Sequence, residues 1–98
     1  MYDIKNLAKL KRLDEKNPET MKAFWAFDKA AFAPGAIEAL NKQLMAVAVA
    51  LTTQCPYCIA LHVKSARDAG ATDQMLAETV AAVRAGAAIT HATHLFQD

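Results

Sequence analysis

Only six residues in this chain break helices, and five of them stand where a helix would begin or end. Three prolines and three glycines occur in 98 residues. Pro18 opens one periodic stretch and Pro34-Gly35 closes it. Pro56 opens another and Gly70 closes that one, which leaves Gly86 inside an alanine run. Between these points alanine, the strongest intrinsic helix former, fills 22 positions. The punctuation predicts one all-α domain over residues 1–98, without linker, low-complexity tail or clear internal repeat. No convincing alternating strand pattern precedes the two cysteines, which argues against a strand-rich thioredoxin domain.

Ile4, Leu7 and Leu10 recur at spacing three and predict a short docking helix at the N-terminus. Asn17-Pro18-Glu19-Thr20 has an N-cap residue, proline at the first helical position and acid in the first turn. Met21, Phe24, Trp25 and Phe32 then form a stripe that Phe27 widens, with Lys22 and Lys29 pointing outward. The stripe is expected to be core or subunit contact, with a substrate pocket as the other use. Asp28 falls near its centre, where a carboxylate must be paired, hydrogen-bonded or wet. A helix from near Glu38 to Thr53 is apolar nearly all round, and Gln43 within it needs a partner if buried. Pro56 to Ala69 makes the next helix. Thr72-Asp73 starts the last, whose apolar face is Met75, Leu76, Val80, Val83 and Ala87, and whose tail carries His91 and His94 one turn apart.

Composition bounds the partners. Apolar types make up 54% of the chain and charged types 21%, a surplus that predicts a partner subunit in so short a chain. Eleven basic against ten acidic side chains give no electrostatic case for nucleic acid or an anionic membrane. The longest uncharged run, Gln43 to Val63, contains Gln, Thr and Pro and does not read as a membrane span. The first fourteen residues carry six charges and lack a signal peptide's apolar block, so the expected location is cytoplasmic. Two cysteines do not make a secreted disulfide framework, and their pairing in a reducing compartment is expected to be catalytic.

Cys55, Cys58 and His62 carry the chemistry. Offsets of three and seven put all three on one face at a helix start. Unpaired backbone N–H groups there stabilise a thiolate and lower its pKa, an effect expected at Cys58 inside the first turn, and the two sulfurs can close a small disulfide ring. In this reading Cys58 attacks, Cys55 resolves and His62 manages the proton. Zinc held by the same three residues with His91 or His94 is an alternative. A fold that binds or scaffolds without turnover is another. Lys64 and Arg67 are expected on an outward face, with steering of an anionic substrate as their functional use, and Arg84 is similarly ambiguous.

The stretch Asn41 to Leu51, then Thr52-Thr53-Gln54-Cys55-Pro56-Tyr57-Cys58-Ile59 and His62, resembles the carboxymuconolactone decarboxylase-like family, nearest its AhpD-like alkylhydroperoxidase branch. Ala69-Gly70-Ala71-Thr72 and the last helix add to the likeness, which runs from about Ala31 to about Thr93. The resemblance implies an all-α fold around a central antiparallel helical pair, assembled as a trimer or hexamer. It also implies a thiol peroxidase or disulfide reductase, in which Cys58 meets a small hydroperoxide and Cys55 closes the disulfide. His62 then belongs to the proton relay, and an external thiol reductant takes the place of any bound cofactor. It does not imply decarboxylation, whose enzymes lack this cysteine pair. The redox branch carries a glutamate twelve residues before the first cysteine, where this chain has Gln43. An amide orients a histidine or water but is no base at neutral pH. Glu78 on the last helix is the preferred replacement, ahead of Asp28, while Glu38 lies about 140° around the helix from Gln43. Tyr57 stands where the branch often has histidine, and is expected either to offer a hydroxyl to the pocket or to pack at a subunit seam.

Overall fold

The computed structural model describes residues 2–96, with the side chains of residues 90–93 left aside. A 3-10 segment, Ile4–Leu10, leads into α1, Lys11–Lys16, and then α2, Pro18–Phe32. Three further helices follow: α3, Ala39–Thr53; α4, Pro56–Asp68; and α5, Asp73–Leu95. The start of α2 keeps Pro18 in the first turn as expected, although Asn17 makes no side-chain cap bond. The docking helix predicted from Ile4, Leu7 and Leu10 is the 3-10 segment, with the Asp3 carboxylate accepting the Lys5 N–H at 3.0 Å.

The centre of the fold is the α3–α4 hairpin. Two residues join these helices, so they pack antiparallel, and α2, α5 and the N-terminal segment rest against them. The hairpin closes because Gln54 takes a left-handed conformation, φ 55° and ψ 39°, which stops α3 and turns the chain back. A non-glycine residue there costs about 1–2 kcal/mol. The far end of α4 closes on Gly70, φ 108°. The Ala71 N–H reaches the Ala66 carbonyl at 2.9 Å and the Gly70 N–H reaches that of Arg67 at 3.0 Å. This is the paired closure that a left-handed glycine permits. α5 then starts with the Thr72 hydroxyl accepting the Met75 N–H at 3.1 Å.

Between α2 and α3, Ala33 is extended, as the residue before a proline is obliged to be. The ammonium of Lys42 on α3 donates to its carbonyl at 2.6 Å, which fastens the C-terminal end of α2 to α3.

The buried apolar core is thin. Among the described residues Val47, Ala50 and Ala66 are buried, while Phe24, Trp25, Phe27, Met45 and Val49 are exposed. The chain exposes 7563 Å², against roughly 5,500 Å² for a compact chain of this length. Its radius of gyration is 16.2 Å, against about 13 Å for a compact domain. The aromatic stripe of α2 and the outer face of α3 therefore do not form an interior within one chain. Within the described residues, no helix is long and apolar enough to cross a membrane.

Candidate active site

The first motif cysteine caps the helix that carries the second. Cys55 is extended at the N-cap of α4, Pro56 follows it in the first turn, and the Cys55 Sγ accepts the Cys58 N–H at 3.2 Å. Sulfur thus occupies the place that a serine or aspartate oxygen usually fills. The same bond holds the sulfur of Cys55 over the first turn, on the side from which Cys58 projects. Both cysteines are free thiols and half-buried.

This geometry splits the two thiols. Cys55 is held below the ordinary thiol range, first by the hydrogen bond it receives from the Cys58 thiol and then by the Cys58 backbone N–H. Cys58 is pushed up by donating that bond, by burial and by the negative charge on Cys55. The motif spacing led us to expect the lowered thiol at Cys58. The structure favours Cys55 instead, whose sulfur at the cap position receives the Cys58 thiol's hydrogen bond and, after it, the helix N–H groups.

Access runs the other way. A cleft of about 450 Å³ between α2, α3 and α4 is lined by Asp28, Phe32, Ala46, Val49, Ala50, Thr53, Cys58 and His62. Cys58 and His62, one turn apart on α4, open into it and Cys55 does not. The His62 ring lies against Phe32, with centroids 6.2 Å apart and planes tilted by 34°. A larger cleft of about 550 Å³ between α3 and α5 contains Glu38, Asn41, Met45, Thr79 and Val83 but no nucleophile of comparable reactivity. The smaller cleft is where chemistry is possible.

The remaining sequence candidates separate. Gln43 is half-buried on α3 in line with Val47 and Ala50, and its Oε1 is buried without a hydrogen-bond partner. It is not among the residues lining the cleft. Glu78 is exposed on α5 and accepts from Gln74 Nε2 at 2.9 Å. It stays away from the cysteines because α5 packs on the Asn41, Leu44 and Ala48 side of α3, whereas the cleft opens on the Ala46, Val49 and Thr53 side. The order expected for the two carboxylates is therefore reversed: Asp28 lines the cleft and Glu78 does not. Tyr57 turns its hydroxyl to the N-terminal segment, accepting from Asp3 N at 3.0 Å and Asn6 Nδ2 at 2.8 Å, and its ring meets Tyr2 at 4.7 Å.

Lys64 pairs with Asp68 at 2.8 Å and Arg67 with Asp73 at 2.7 Å, both in solvent, and Arg84 is exposed on α5. His94 is exposed in the last turn of α5, and the His91 side chain lies outside the described residues. Among the described residues no three His, Cys, Asp or Glu side chains stand together as metal ligands. The α3 wall of the cleft, Ala46, Val49 and Thr53, was not legible as a site in the sequence. The α2 wall was signalled by Asp28, a charge set in the apolar stripe that also carries Phe32.

The sequence pattern of the carboxymuconolactone decarboxylase family matches residues 18–98. A Paracoccus denitrificans protein described as uncharacterized protein 4 in the cox locus is 53% identical over 73 residues, 71% of this chain and 66% of that protein. An uncharacterized protein of Cupriavidus necator is 38% identical over 69 residues, covering 70% of this chain and 61% of its own length. The chain thus spans just under two thirds of these curated relatives. The crystal structure of an apo carboxymuconolactone decarboxylase family protein from Legionella pneumophila superposes with a TM-score of 0.74 at 32% identity. That match covers 79% of this chain and 69% of the other. A protein from Methanobacterium thermoautotrophicum gives 0.71 at 32% identity, covering 85% and 97%. The chain belongs to the carboxymuconolactone decarboxylase family.

Proposed function

We propose that this member of the carboxymuconolactone decarboxylase family is a thiol-dependent peroxidase or disulfide oxidoreductase of the AhpD-like kind. The observation that carries the reading is the pair of free thiols on the first turn of α4, with Cys58 and His62 facing one cleft. Cys58 is the sulfur a substrate reaches. Its thiolate attacks one peroxide oxygen, the O–O bond breaks, and a sulfenic acid and an alkoxide result. His62, which takes the thiol proton, returns it to the alkoxide, and an alcohol leaves. Cys55 then attacks the sulfenic sulfur, the S–S bond forms and water departs. Two electrons have passed from the dithiol to the peroxide, and an external thiol reductant restores the pair. With a protein disulfide as substrate, the same attack passes through a mixed disulfide that Cys55 resolves.

The cleft favours a small neutral substrate. Its walls are apolar, its one fixed charge is the Asp28 carboxylate, and no lysine or arginine lines it. The exposed apolar faces of α2 and α3 belong to a homo-oligomer, a trimer or hexamer, in the cytoplasm.

The test is stoichiometry. Reduced protein mixed with cumene hydroperoxide, a small neutral peroxide, should lose two thiols per peroxide consumed. Mass spectrometry should find a Cys55–Cys58 disulfide, and dithiothreitol should sustain turnover. Thiols that survive excess peroxide and a disulfide substrate alike would sink the proposal and leave the fold as a non-catalytic scaffold.

A further inference from the structure

We infer that Asp28 is the carboxylate of this site, a positioning residue that acts through His62. The inference rests on the thiol-redox reading above and moves the carboxylate's role from Glu78, preferred on sequence, to Asp28. Three ionisable side chains line the cleft: Cys58 and His62 from α4, and Asp28 from α2. α3 contributes only Ala46, Val49, Ala50 and Thr53, so no other titratable group faces the imidazole across the cleft. Asp28 precedes Phe32 by one helical turn, and Phe32 is the ring that lies against His62. Asp28 and Phe32 thus form the α2 wall of the cleft, with His62 of α4 against the Phe32 ring, and the Lys42 bond fastens that end of α2.

Among the described residues and apart from the Phe32 ring against His62, neither side chain is engaged, and the two are not hydrogen-bonded or ion-paired with each other. A half-buried carboxylate in an apolar stripe is unfavourable unless something answers its charge. The imidazolium formed when His62 takes the Cys58 proton is such a group, and it is generated in the same cleft. Asp28 steadies the ring while the proton moves from sulfur to imidazole and on to the alkoxide, so no atom or electron passes through the carboxylate. Gln43 and Glu78 supply no carboxylate to this cleft.

The experiment is a proton NMR titration of the three histidines in reduced protein, with the His62 signal assigned from His62→Gln. In Asp28→Asn the His62 midpoint should fall, since the carboxylate that favours imidazolium is gone, while His91 and His94 titrate as before. Asp28→Glu should restore much of the midpoint. Peroxide-dependent turnover should drop about tenfold or more in Asp28→Asn and recover in Asp28→Glu. An unmoved His62 midpoint in a folded Asp28→Asn protein, with turnover kept, overturns the inference and leaves the redox proposal standing. A moved midpoint in a protein that consumes no peroxide and reduces no disulfide confirms the pairing and overturns the redox proposal instead.

Discussion

The backbone N–H of Cys58 points at the sulfur of Cys55, 3.2 Å away, so the redox pair is also the N-terminal cap of α4. Cap and chemistry share an atom. The sulfur that terminates the helix gathers negative charge, and the sulfur that faces the cleft keeps its proton longer.

A direct consequence is the order of reaction with a small alkylating reagent. The pair should lose its protons in two steps, the first below the ordinary thiol range and the second above it. Thiolate, and hence alkylation, increases as pH rises through each step. Near neutral pH, limited iodoacetamide followed by peptide mapping should find Cys55 labelled ahead of Cys58. The reverse order would show that the cap geometry does not set the charge.

Replacing Cys55 with serine keeps a cap acceptor and removes the neighbouring thiolate. Two of the three causes that raise Cys58 are thereby weakened, the charge-assisted hydrogen bond and the repulsion, and burial remains. The Cys58 thiol should shift downward and alkylate several-fold faster at neutral pH than in the parent protein. Slower alkylation in Cys55→Ser would contradict the assignment. Turnover should be lost in either single cysteine variant, because the disulfide needs both.

Helix boundaries were legible in the sequence because they rest on local chemistry. Pro18, Pro56, Gly70 and Thr72 all stand where the structure uses them. The hairpin stop at Gln54 was not legible, since glutamine carries no preference for the left-handed region it occupies. Spacing alone put Cys58 and His62 one turn apart on one helix, and both line the cleft, whereas Cys55 stands at the cap and does not line it. The cleft opposite them depends on which side of α3 each neighbouring helix takes, and periodicity in one helix does not specify that. For the same reason Glu78 looked nearer than Asp28. Spacing shows that both sulfurs sit at a helix start but not which of them accepts the N–H there, so the lowered thiol falls on Cys55 rather than Cys58.

Gln43 offers a stability test separate from turnover. Its Oε1 is buried and unpartnered, and an unsatisfied buried acceptor costs about 1–3 kcal/mol. Gln43→Met conserves much of the volume and removes the polar atoms, so thermal or urea unfolding should show a gain of about 1 kcal/mol. A loss of similar size would mean that the amide has a partner in the assembled protein.

Tyr57 ties the motif to the N-terminal segment through its hydroxyl. Tyr57→Phe keeps the ring and its contact with Tyr2 but leaves the Asp3 N–H and the Asn6 amide without their acceptor. Each such bond contributes about 1 kcal/mol. Amide hydrogen exchange across residues 3–10 should therefore quicken roughly tenfold or more, while α3 and α4 exchange as before. Equal exchange in the two proteins would show that Tyr57 does not hold the segment.

The surface left by one chain is the last quantity to test. The excess over a compact chain is roughly 2,000 Å², comparable to what a stable protein interface buries in total. It includes Phe27 at 69% and Val49 at 61% exposure. Val49 also forms a wall of the cleft, so a neighbouring subunit seated there would narrow the approach to Cys58. Sedimentation equilibrium at micromolar concentration should give a multiple of the chain mass, in threes if the family assembly holds. Phe27→Glu with Val49→Glu should drive the protein toward monomer and lower peroxide turnover together. A monomeric parent protein with full turnover would mean that the exposed faces serve another partner and that one chain completes the site.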